Sequence, residues 1–448
     1  MQMKKFLMDH LEVVSFLGMG TLFWLNHLRK TKKKQKKAVV KLEKAIATKT
    51  NEPATMHPEI DPDLCAGCGG CTRVCPEGDI LQLIHNKAVL VTPAKCVGHG
   101  QCEIVCPMGA ITLVFGTKSR GMDIPRVNTN YETNVPGLYI AGELGGMGLI
   151  RNAIKQGKMA AEHAIANLKL SAPTDVDVLI VGAGPAGMAA GLMAIKSNTK
   201  YMVIDQNTFG GTVYNFPRQK IVMTQPAELP IIGTMKFPSH KVTKEELLAY
   251  WNQVRTKAGL KVTENCRFDG LQVLPNKTFQ VKTSLKTITA KRVILALGVR
   301  GSPRRLGLPN EDLPKITYSL IDAEQYSNND IVVVGGGNAG VEAAQDLARA
   351  NLKNRVHLLV RGEVFDRCNE DNQNRIRALE AQGLVKIWFK SSVQKIDEKT
   401  VVVKKGEEPV LLPNDFLFVF AGAEVPFKFL MSLGVVIDKK FGEGLKAN

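Results

Sequence analysis

Blocks of apolar residues alternate with glycine-rich and alanine-rich stretches along this 448-residue chain. Residues 177–194, DVLIVGAGPAGMAAGLMA, begin as an apolar run, pass through a glycine-rich turn and continue as an alanine-rich stretch. This pattern predicts a buried strand, a loop and a helix, and KYMVID at 200–205 predicts the next strand. The same order returns at 330–348, DIVVVGGGNAGVEAAQDLA, followed by RVHLLV. Strands that alternate with helices in this way predict an α/β fold with parallel sheets.

Each of the two apolar strands is followed by three glycines in a spacing that suits a dinucleotide. Such glycines allow a tight turn, close approach of a pyrophosphate and close packing of the helix on the strand. The pyrophosphate then lies at the N-terminus of the helix. We therefore expect two Rossmann-like dinucleotide-binding domains, whose loop glycines are Gly182, Gly184 and Gly187 in the first and Gly335, Gly337 and Gly340 in the second.

The residue after the second strand differs between the two domains. Asp205 ends that strand in the first domain, where an acid binds a ribose hydroxyl group. Arg361 has the corresponding place in the second domain, and an arginine there accommodates a 2′-phosphate. This difference favours NADPH over NADH in the second domain, with NADH as the alternative. The other interpretation of Arg361 is an ordinary solvated surface charge.

Seven of the nine cysteines lie between residues 65 and 106. Residues 65–76, CAGCGGCTRVCP, have the full bacterial spacing for iron–sulfur ligation, in which the last cysteine of a run binds the other of two clusters. A structural zinc site is the alternative, but zinc leaves this crossed pattern unexplained. The spacing predicts one [4Fe–4S] cluster, held by Cys65, Cys68, Cys71 and Cys106.

The second run, CVGHGQCEIVCP at 96–107, departs from the pattern at one position. His99 stands where the second thiol is expected, whereas Cys96 and Cys102 remain, together with Cys75 from the first run. Either His99 is the fourth ligand of a [4Fe–4S] cluster, since neutral imidazole binds iron, or a [3Fe–4S] cluster lies beside it. The stretch from residue 58 to residue 114 resembles a bacterial dicluster ferredoxin along its whole length.

Residues 177–436 resemble thioredoxin-reductase-like flavoproteins. Between the two glycine loops, residues 291–311 are similar to that family's second flavin-contact segment, with Gly298 in its turn. Residues 210–220, GGTVYNFPRQK, are similar to the stretch that lies along the flavin. The resemblance implies FAD in the first domain and a nicotinamide nucleotide in the second.

The piece that should end such a flavoprotein lies upstream in this chain. Residues 127–168, which include NVPGLYIAGE, resemble the family's closing strand and helix. In relatives the acid after that Ala-Gly reaches the ribityl chain; the matching residues here are Gly142 and Glu143, with the helix beginning near Gly148. The resemblance implies a circularly permuted flavoprotein, and an unrelated helical linker is the alternative.

The chain lacks the thiols with which its nearest family types reduce disulfides. Thioredoxin reductases carry a C-x-x-C in the nicotinamide domain, where this chain has only Cys368. Bacillithiol-disulfide reductases, which residues 177–436 also resemble, place a cysteine at the position of Ala186. Disulfide reduction through a catalytic thiol is therefore disfavoured. We interpret Cys368 and Cys266 as ordinary buried thiols.

The formal net charge of +17 is concentrated at the N-terminus. Residues 1–57 contain twelve lysines and arginines and four acids, so the excess does not by itself imply nucleic-acid binding. An uncharged apolar run at 13–25 precedes a basic block at 29–37, which predicts a single-pass anchor in the inner membrane with the remaining chain in the cytoplasm. A cleaved signal peptide and an interfacial amphipathic helix are the alternatives.

Together these patterns predict an α/β iron–sulfur flavoprotein with a small α+β ferredoxin domain and an N-terminal membrane helix. It moves electrons between NADPH, FAD and two iron–sulfur clusters, to or from a redox partner protein or a membrane electron carrier; the cofactors carry the chemistry and no catalytic side chain is predicted. The alternative is a non-catalytic electron-transfer or redox-sensing subunit, and a homodimer is left open. The predicted segments are the anchor and basic linker (1–57), the ferredoxin domain (58–116), the permuted piece of the FAD domain (117–170), the FAD domain (175–326), the NAD(P) domain (327–422) and a return to the FAD domain (423–448).

Overall fold

The structure is a computed structural model, and it forms two compact units, Met1–Leu113 and Val114–Asn448. It describes residues 11–47, 51–53, 55–146, 148–168, 172–239, 241–299, 302–365, 368–406 and 408–444. Residues 1–10 of the predicted anchor therefore lie outside the described residues.

The first unit joins a long helix to a small α+β domain. Strand β1 pairs with β4, and β2 pairs antiparallel with β3; a small core here contains Cys71, Leu81 and Cys102. Cysteines thus form part of the core itself, which places the candidate ligands inside the domain. The elements are α1 (Leu11–Ala47), β1 (His57–Ile60), α2 (Gly70–Val74), β2 (Leu81–Ile84), β3 (Lys87–Leu90), α3 (Gln101–Ile104) and β4 (Ile111–Val114).

Helix α1 is continuous through the basic block, which the sequence analysis assigned to a linker. Lysine and alanine are good helix formers, and neither glycine nor proline interrupts residues 21–47. Ala38 and Ala45 are buried, and Lys41 forms an ion pair with Asp79 at 2.5 Å. The Lys41 charge and hydrogen bond lower the pKa of the Asp79 carboxyl. The second half of α1 is therefore part of the folded unit.

Within the part of the chain that the structure describes, no helix carries an apolar stretch long enough to cross a membrane. The apolar run at 13–25 is shorter than the roughly 20 residues that a span requires, and the basic block follows it within the same helix.

The second unit begins with the flavin-type domain. The strands and helices of this domain are β5 (Met122–Pro125), β6 (Leu138–Ile140), α4 (Ile150–Ala166), β7 (Val176–Val181), α5 (Pro185–Lys196), β8 (Tyr201–Ile204), β9 (Ile221–Met223), β10 (Ala227–Leu229), β11 (Gly233–Met235), β12 (Lys241–Thr243), α6 (Lys244–Ala258), β13 (Val262–Thr263), β14 (Phe268–Val273), β15 (Phe279–Thr283), β16 (Thr287–Leu295) and β17 (Ser302–Pro303).

The central sheet of this domain has the strand order β13-β8-β7-β16-β15-β14. Strands β13, β8, β7 and β16 run parallel, and β6 adds to them by pairing in parallel with the end of β16. Helix α4 packs against α5, the helix after the first glycine loop. Residues 138–166 thus supply a strand and a helix to the domain that carries the first glycine loop.

The nicotinamide-type domain repeats the architecture on a smaller scale. Its parallel sheet has the order β18-β25-β19-β20-β21, and an antiparallel sheet of β22, β23 and β24 packs beside it. The remaining elements are β18 (Ile316–Thr317), β19 (Asp330–Val334), α7 (Asn338–Leu347), β20 (Arg355–Leu359), α8 (Glu370–Ala381), β21 (Val385–Trp388), β22 (Ser391–Ile396), β23 (Thr400–Lys405), β24 (Glu408–Pro413), β25 (Phe416–Val419), β26 (Ala423–Glu424), α9 (Phe427–Ser432) and β27 (Ile437–Lys440).

The last strand of the chain returns to the beginning of the second unit. Strand β27 pairs antiparallel with β5, and Arg126 and Asp438 form an ion pair at 2.6 Å across this pair. The Asn134 side chain also donates a hydrogen bond to the Gly434 carbonyl at 2.8 Å. Residues 122–135 and 434–440 are therefore held together, although the chain separates them by about 300 positions.

Candidate functional site

Four cysteines of the first unit line one cavity. Backbone N–H groups point at two of the sulfurs: Ala88 donates to Cys65 at 3.4 Å and Ala110 to Cys106 at 3.3 Å. Hydrogen bonds to sulfur are a lever by which proteins tune iron–sulfur clusters. Among the described residues, no three potential ligands converge closely enough to hold one metal ion. The thiols that line the cavity are Cys65, Cys68, Cys71 and Cys106.

The donor set and the cavity fit an iron–sulfur cluster. Four thiols around one space provide one ligand for each iron of a cubane, and the crossed use of Cys106 agrees with the two-cluster pattern. Gly67 lets the ligand loop pass close to the hairpin between β2 and β3, because a Cβ there would lie 2.1 Å from the Asn86 oxygen.

Cys75, Cys96 and Cys102 form a second group of thiols. Burial raises the pKa of Cys102 to about 12, and the charges of Cys96 and Cys75 add to this effect. Burial also raises the pKa of Cys96, to which Cys75 contributes. His99 lies in the loop between these thiols, with Nε2 3.6 Å from Glu77 Oε1. The structure thus brings the three thiols together, and it adds Glu77, which the sequence analysis did not select.

The first glycine loop is closely packed at two of its three glycines. A Cβ at Gly187 would lie 1.7 Å from the Gly182 oxygen, and a Cβ at Gly182 would lie 2.3 Å from the Ala296 oxygen. Gly184 caps the N-terminus of α5. This geometry leaves the backbone N–H groups at the start of α5 available to a diphosphate, as FAD requires.

Asp205 lies directly after β8 and holds the glycine loop in place. Its carboxylate accepts hydrogen bonds from the backbone of Ala183 at 2.7 Å and of Asn207 at 2.8 Å. Each carboxylate oxygen has a further lone pair, so the group can also accept from a ribose hydroxyl.

The segment after β6 reaches the same loop from the other side. Gly142 donates its backbone N–H to the Gln156 side-chain oxygen at 2.7 Å, and its Cα faces Ala186. The Glu143 carboxylate lies over Gly148, two residues before α4 begins. The predicted residue Gly142 is thus adjacent to the start of α5, whereas Glu143 lies over the segment that leads into α4.

Gln156 is a site residue that the sequence analysis missed. It is 1% exposed, and its Nε2 has no hydrogen-bond partner among the described residues. An unsatisfied buried amide is unfavourable by about 1–3 kcal/mol, so this group fits a position beside a bound ligand. The sequence signal that could have identified Gln156 is a glutamine on the buried face of an alanine-rich helix. The residues present therefore fit FAD.

Gly298 follows β16 with a left-handed backbone, φ 64°. A Cβ at this position would lie 4.0 Å from Thr212 Oγ1, in the segment 210–220 that the family resemblance assigned to the flavin. The two segments therefore meet on the same side of the sheet as the glycine loop.

The second glycine loop has the same close packing. A Cβ at Gly340 would lie 2.3 Å from the Gly335 oxygen, and Gly337 caps the N-terminus of α7. Arg361 is exposed two residues beyond β20, the strand next to β19. The residues present therefore fit a dinucleotide, with a cation at the edge where an adenosine phosphate would lie.

The two cysteines outside the ferredoxin domain are both buried. Burial, with the Glu342 charge adding to it, raises the pKa of Cys368 to about 12. A thiol in such surroundings is inert as a nucleophile near neutral pH.

Two family models match the chain. Residues 179–443 match "Pyridine nucleotide-disulphide oxidoreductase", and residues 57–107 match "4Fe-4S dicluster domain". Bacilliredoxin reductase Bdr of Bacillus subtilis is 30% identical over 268 residues, which cover 59% of this chain and 82% of that protein. A ferredoxin–NADP reductase of Ignicoccus hospitalis is 29% identical, covering 58% of this chain and 81% of its own length.

Among solved structures, the bacillithiol disulfide reductase Bdr from Bacillus cereus matches with a TM-score of 0.53 and 26% identity. The match covers 59% of this chain and 82% of that one. The relatives are pyridine-nucleotide-dependent flavin oxidoreductases. This chain belongs to the pyridine nucleotide-disulphide oxidoreductase family, as a thioredoxin-reductase-like flavoprotein oxidoreductase that carries a 4Fe-4S dicluster ferredoxin domain.

Proposed function

We propose that this protein transfers electrons between NADPH and a one-electron carrier through FAD and two iron–sulfur clusters. The observation that carries the proposal is the cavity lined by four thiols, in a chain with two dinucleotide loops. FAD exchanges a hydride with nicotinamide and single electrons with the clusters. The relative named ferredoxin–NADP reductase supports a one-electron carrier as the partner.

The protein side chains bind and orient the cofactors. The N–H groups at the starts of α5 and α7 bind the two diphosphates, and Arg361 binds the 2′-phosphate of NADPH. Cys65, Cys68, Cys71 and Cys106 hold the first cluster, and Cys75, Cys96 and Cys102 hold the second, with His99 at its fourth ligand position. The inert Cys368 leaves the clusters as the outlet for electrons.

Anaerobic stopped-flow mixing of the full chain with NADPH tests this function. We expect flavin absorbance to bleach first and cluster absorbance to follow. Cys71→Ser should remove the first cluster's part of the cluster phase and leave flavin reduction intact, whereas Cys266→Ser, at a buried thiol outside the ferredoxin domain, should leave all phases unchanged. Flavin reduction with clusters that stay oxidised in the wild type contradicts the proposal.

The position of residues 127–168 supports a circular permutation. In the resembled flavoproteins a closing strand and helix follow the nicotinamide domain, whereas here β6 and α4 precede the first glycine loop and still pair with β16 and α5. Strands β27 and β5, which follow one another in the order of the resembled flavoproteins, also pair here although they are far apart in this chain.

We also propose that α1 attaches the protein to the cytoplasmic face of the inner membrane. Met19, Leu22, Phe23 and Trp24 are each at least 60% exposed, and the basic block follows them on the same helix. Exposed aromatic and leucine side chains beside lysines suit the surface of an anionic bilayer. Co-sedimentation with phosphatidylglycerol vesicles, but not with phosphatidylcholine vesicles, is the expected result, and binding to neither contradicts the attachment.

A further inference from the structure

Residues 96–109 align with residues 65–78 at an offset of 31 positions, and the backbone is left-handed at the corresponding glycines. Gly67 and Gly98 have left-handed φ angles of 68° and 74°, and the glycines that cap α2 and α3 have 68° and 77°. Because the last cysteine of each run belongs to the other group of thiols, the residue two positions after it also lies beside the other group.

Among the aligned positions that differ between the two runs, two lie beside the thiol groups. Cys68 of the first group corresponds to His99 at the second. Met108, which lines the first cavity, corresponds to Glu77 beside the second group. The second group therefore exchanges a thiol for an imidazole and an apolar neighbour for a carboxylate.

The two exchanged residues contact each other. His99 Nε2 lies 3.6 Å from Glu77 Oε1, within reach of an ion pair, and the side chains are only 12% and 24% exposed. Glu77 is also close to the thiols, since it follows Cys75 by two positions and its charge acts on Cys96. A carboxylate beside thiolates is unfavourable unless a donor such as the imidazole N–H compensates it.

We propose that Glu77 is the positioning residue for His99, holding the Nε2 side of the ring so that Nδ1 is the nitrogen presented to the iron. The inference rests on the proposed cluster at Cys75, Cys96 and Cys102. Histidines that bind metals commonly donate their other ring N–H to a carboxylate, which fixes the tautomer and the ring orientation. The sequence suggested His99 alone; Glu77 follows from the contact and from the repeat.

The exchange also preserves the number of negative groups. The first group provides four thiolates, and the second provides three thiolates and the Glu77 carboxylate. Net charge is one determinant of cluster potential. Glu77 therefore offsets the rise in potential that replacement of a thiolate by imidazole brings.

The test uses the full chain with Glu77→Met, the residue of the other half, and Glu77→Gln, which keeps a hydrogen-bond acceptor without the charge. Iron content and electron paramagnetic resonance are measured on each, with redox titration of both clusters. We expect Glu77→Met to lose the fourth iron of the second cluster or to shift its resonance. Glu77→Gln should retain the wild-type iron content and raise only the potential of that cluster. The first cluster should be unchanged in both.

The same substitutions in a His99→Cys background supply the control. A thiolate has no second nitrogen to be held, so Glu77→Met should no longer change the iron content there. Loss of iron that is equal in both backgrounds, or a Glu77→Met protein identical to the wild type, overturns the positioning role. A wild-type protein with one four-iron and one three-iron cluster also overturns it. A wild-type protein with no cluster at the second group refutes the two-cluster function itself. The signal of the first cluster is recorded separately and shows whether that cluster is present.

Discussion

Arg361 is exposed beyond the end of β20, at the strand edge where the two dinucleotide domains differ in sequence. A charge-assisted hydrogen bond is worth about 1.5–3 kcal/mol. We therefore expect Arg361→Glu to raise the KM for NADPH by about 10- to 150-fold, with a smaller change for NADH. Steady-state kinetics with both nucleotides measure this.

Lys353 provides a matched control for Arg361. It is an exposed cation at the opposite end of β20, so Lys353→Glu should leave both KM values unchanged. A wild-type protein that prefers NADH at equal concentrations shows that Arg361 does not bind a 2′-phosphate.

The side chain of Gln156 has two polar atoms: Oε1 accepts a hydrogen bond from Gly142, and Nε2 has no partner among the described residues. Gln156→Leu removes both and leaves the Gly142 N–H buried, which destabilises the bound state by about 1–3 kcal/mol. We expect FAD to dissociate about 10-fold more readily, as measured by the fluorescence of flavin released on dilution.

The variant Gln156→Glu separates the two atoms. It keeps the acceptor for Gly142 and loses the amide donor, so a loss of FAD equal to that of Gln156→Leu assigns the effect to Nε2. Wild-type retention of FAD in both variants contradicts a role at the flavin.

At the scale of elements, sequence patterns predicted those features that depend on local residue order. Apolar runs and glycine spacing placed β7, α5, β19 and α7, because a strand, a tight turn and a helix each leave a local pattern. The helix predicted near Gly148 begins at Ile150. The basic block was expected to be a linker, yet it is helical: its lysines favour a helix, and the contacts of Ala38 and Lys41 just beyond it have no local pattern.

The remaining site residues could not be predicted from the sequence, because their contacts join segments that are distant in the chain. Glu77 meets His99 across 22 positions, and Gln156 meets Gly142 only once α4 folds back on the sheet. Neither contact has a periodicity that a sequence displays. The cysteine spacing, by contrast, encodes ligand loops directly, since three ligands of each group lie within one short run.

The contact between α4 and α5 depends on Gly157. A Cβ at that position would lie 2.0 Å from the Ala186 oxygen, which is backbone and cannot move aside. We expect Gly157→Ala to force the helices apart and to lower the free energy of unfolding by about 1–3 kcal/mol. Lys155→Ala, at an exposed position of the same helix, should have little effect. Thermal denaturation of both variants measures the difference, and equal melting temperatures contradict the close packing.

At the scale of the second unit, ion pairs tie the two dinucleotide domains together. Arg218 pairs with Asp322 at 2.8 Å, and Lys220 pairs with Glu342 on α7. The backbone N–H of Arg218 also donates to the Ile321 carbonyl at 2.9 Å. These contacts stabilise the observed arrangement of the two domains.

Removal of the Lys220–Glu342 pair should change the rate at which NADPH reduces the flavin. Both side chains are about one third exposed, so the pair contributes only about 0.2–1 kcal/mol, or up to roughly fivefold in rate. Lys220→Met, Glu342→Gln and the double variant should share the same change, because each removes one contact. If the effects of the two single substitutions on the stopped-flow rate are additive in the double variant, a direct pairing is contradicted.

Strand β6 is synthesised long before the strand with which it pairs. Its residues Leu138, Tyr139 and Ile140 are fully buried, yet their partners on β16 are made about 155 residues later. At a translation rate of about 5–20 residues per second, roughly 8 to 30 s pass between the synthesis of β6 and the synthesis of β16. The apolar edge of β6 is therefore exposed in the nascent chain for longer than in a flavoprotein whose closing strand is translated last. We expect chaperones to bind the nascent chain at β6.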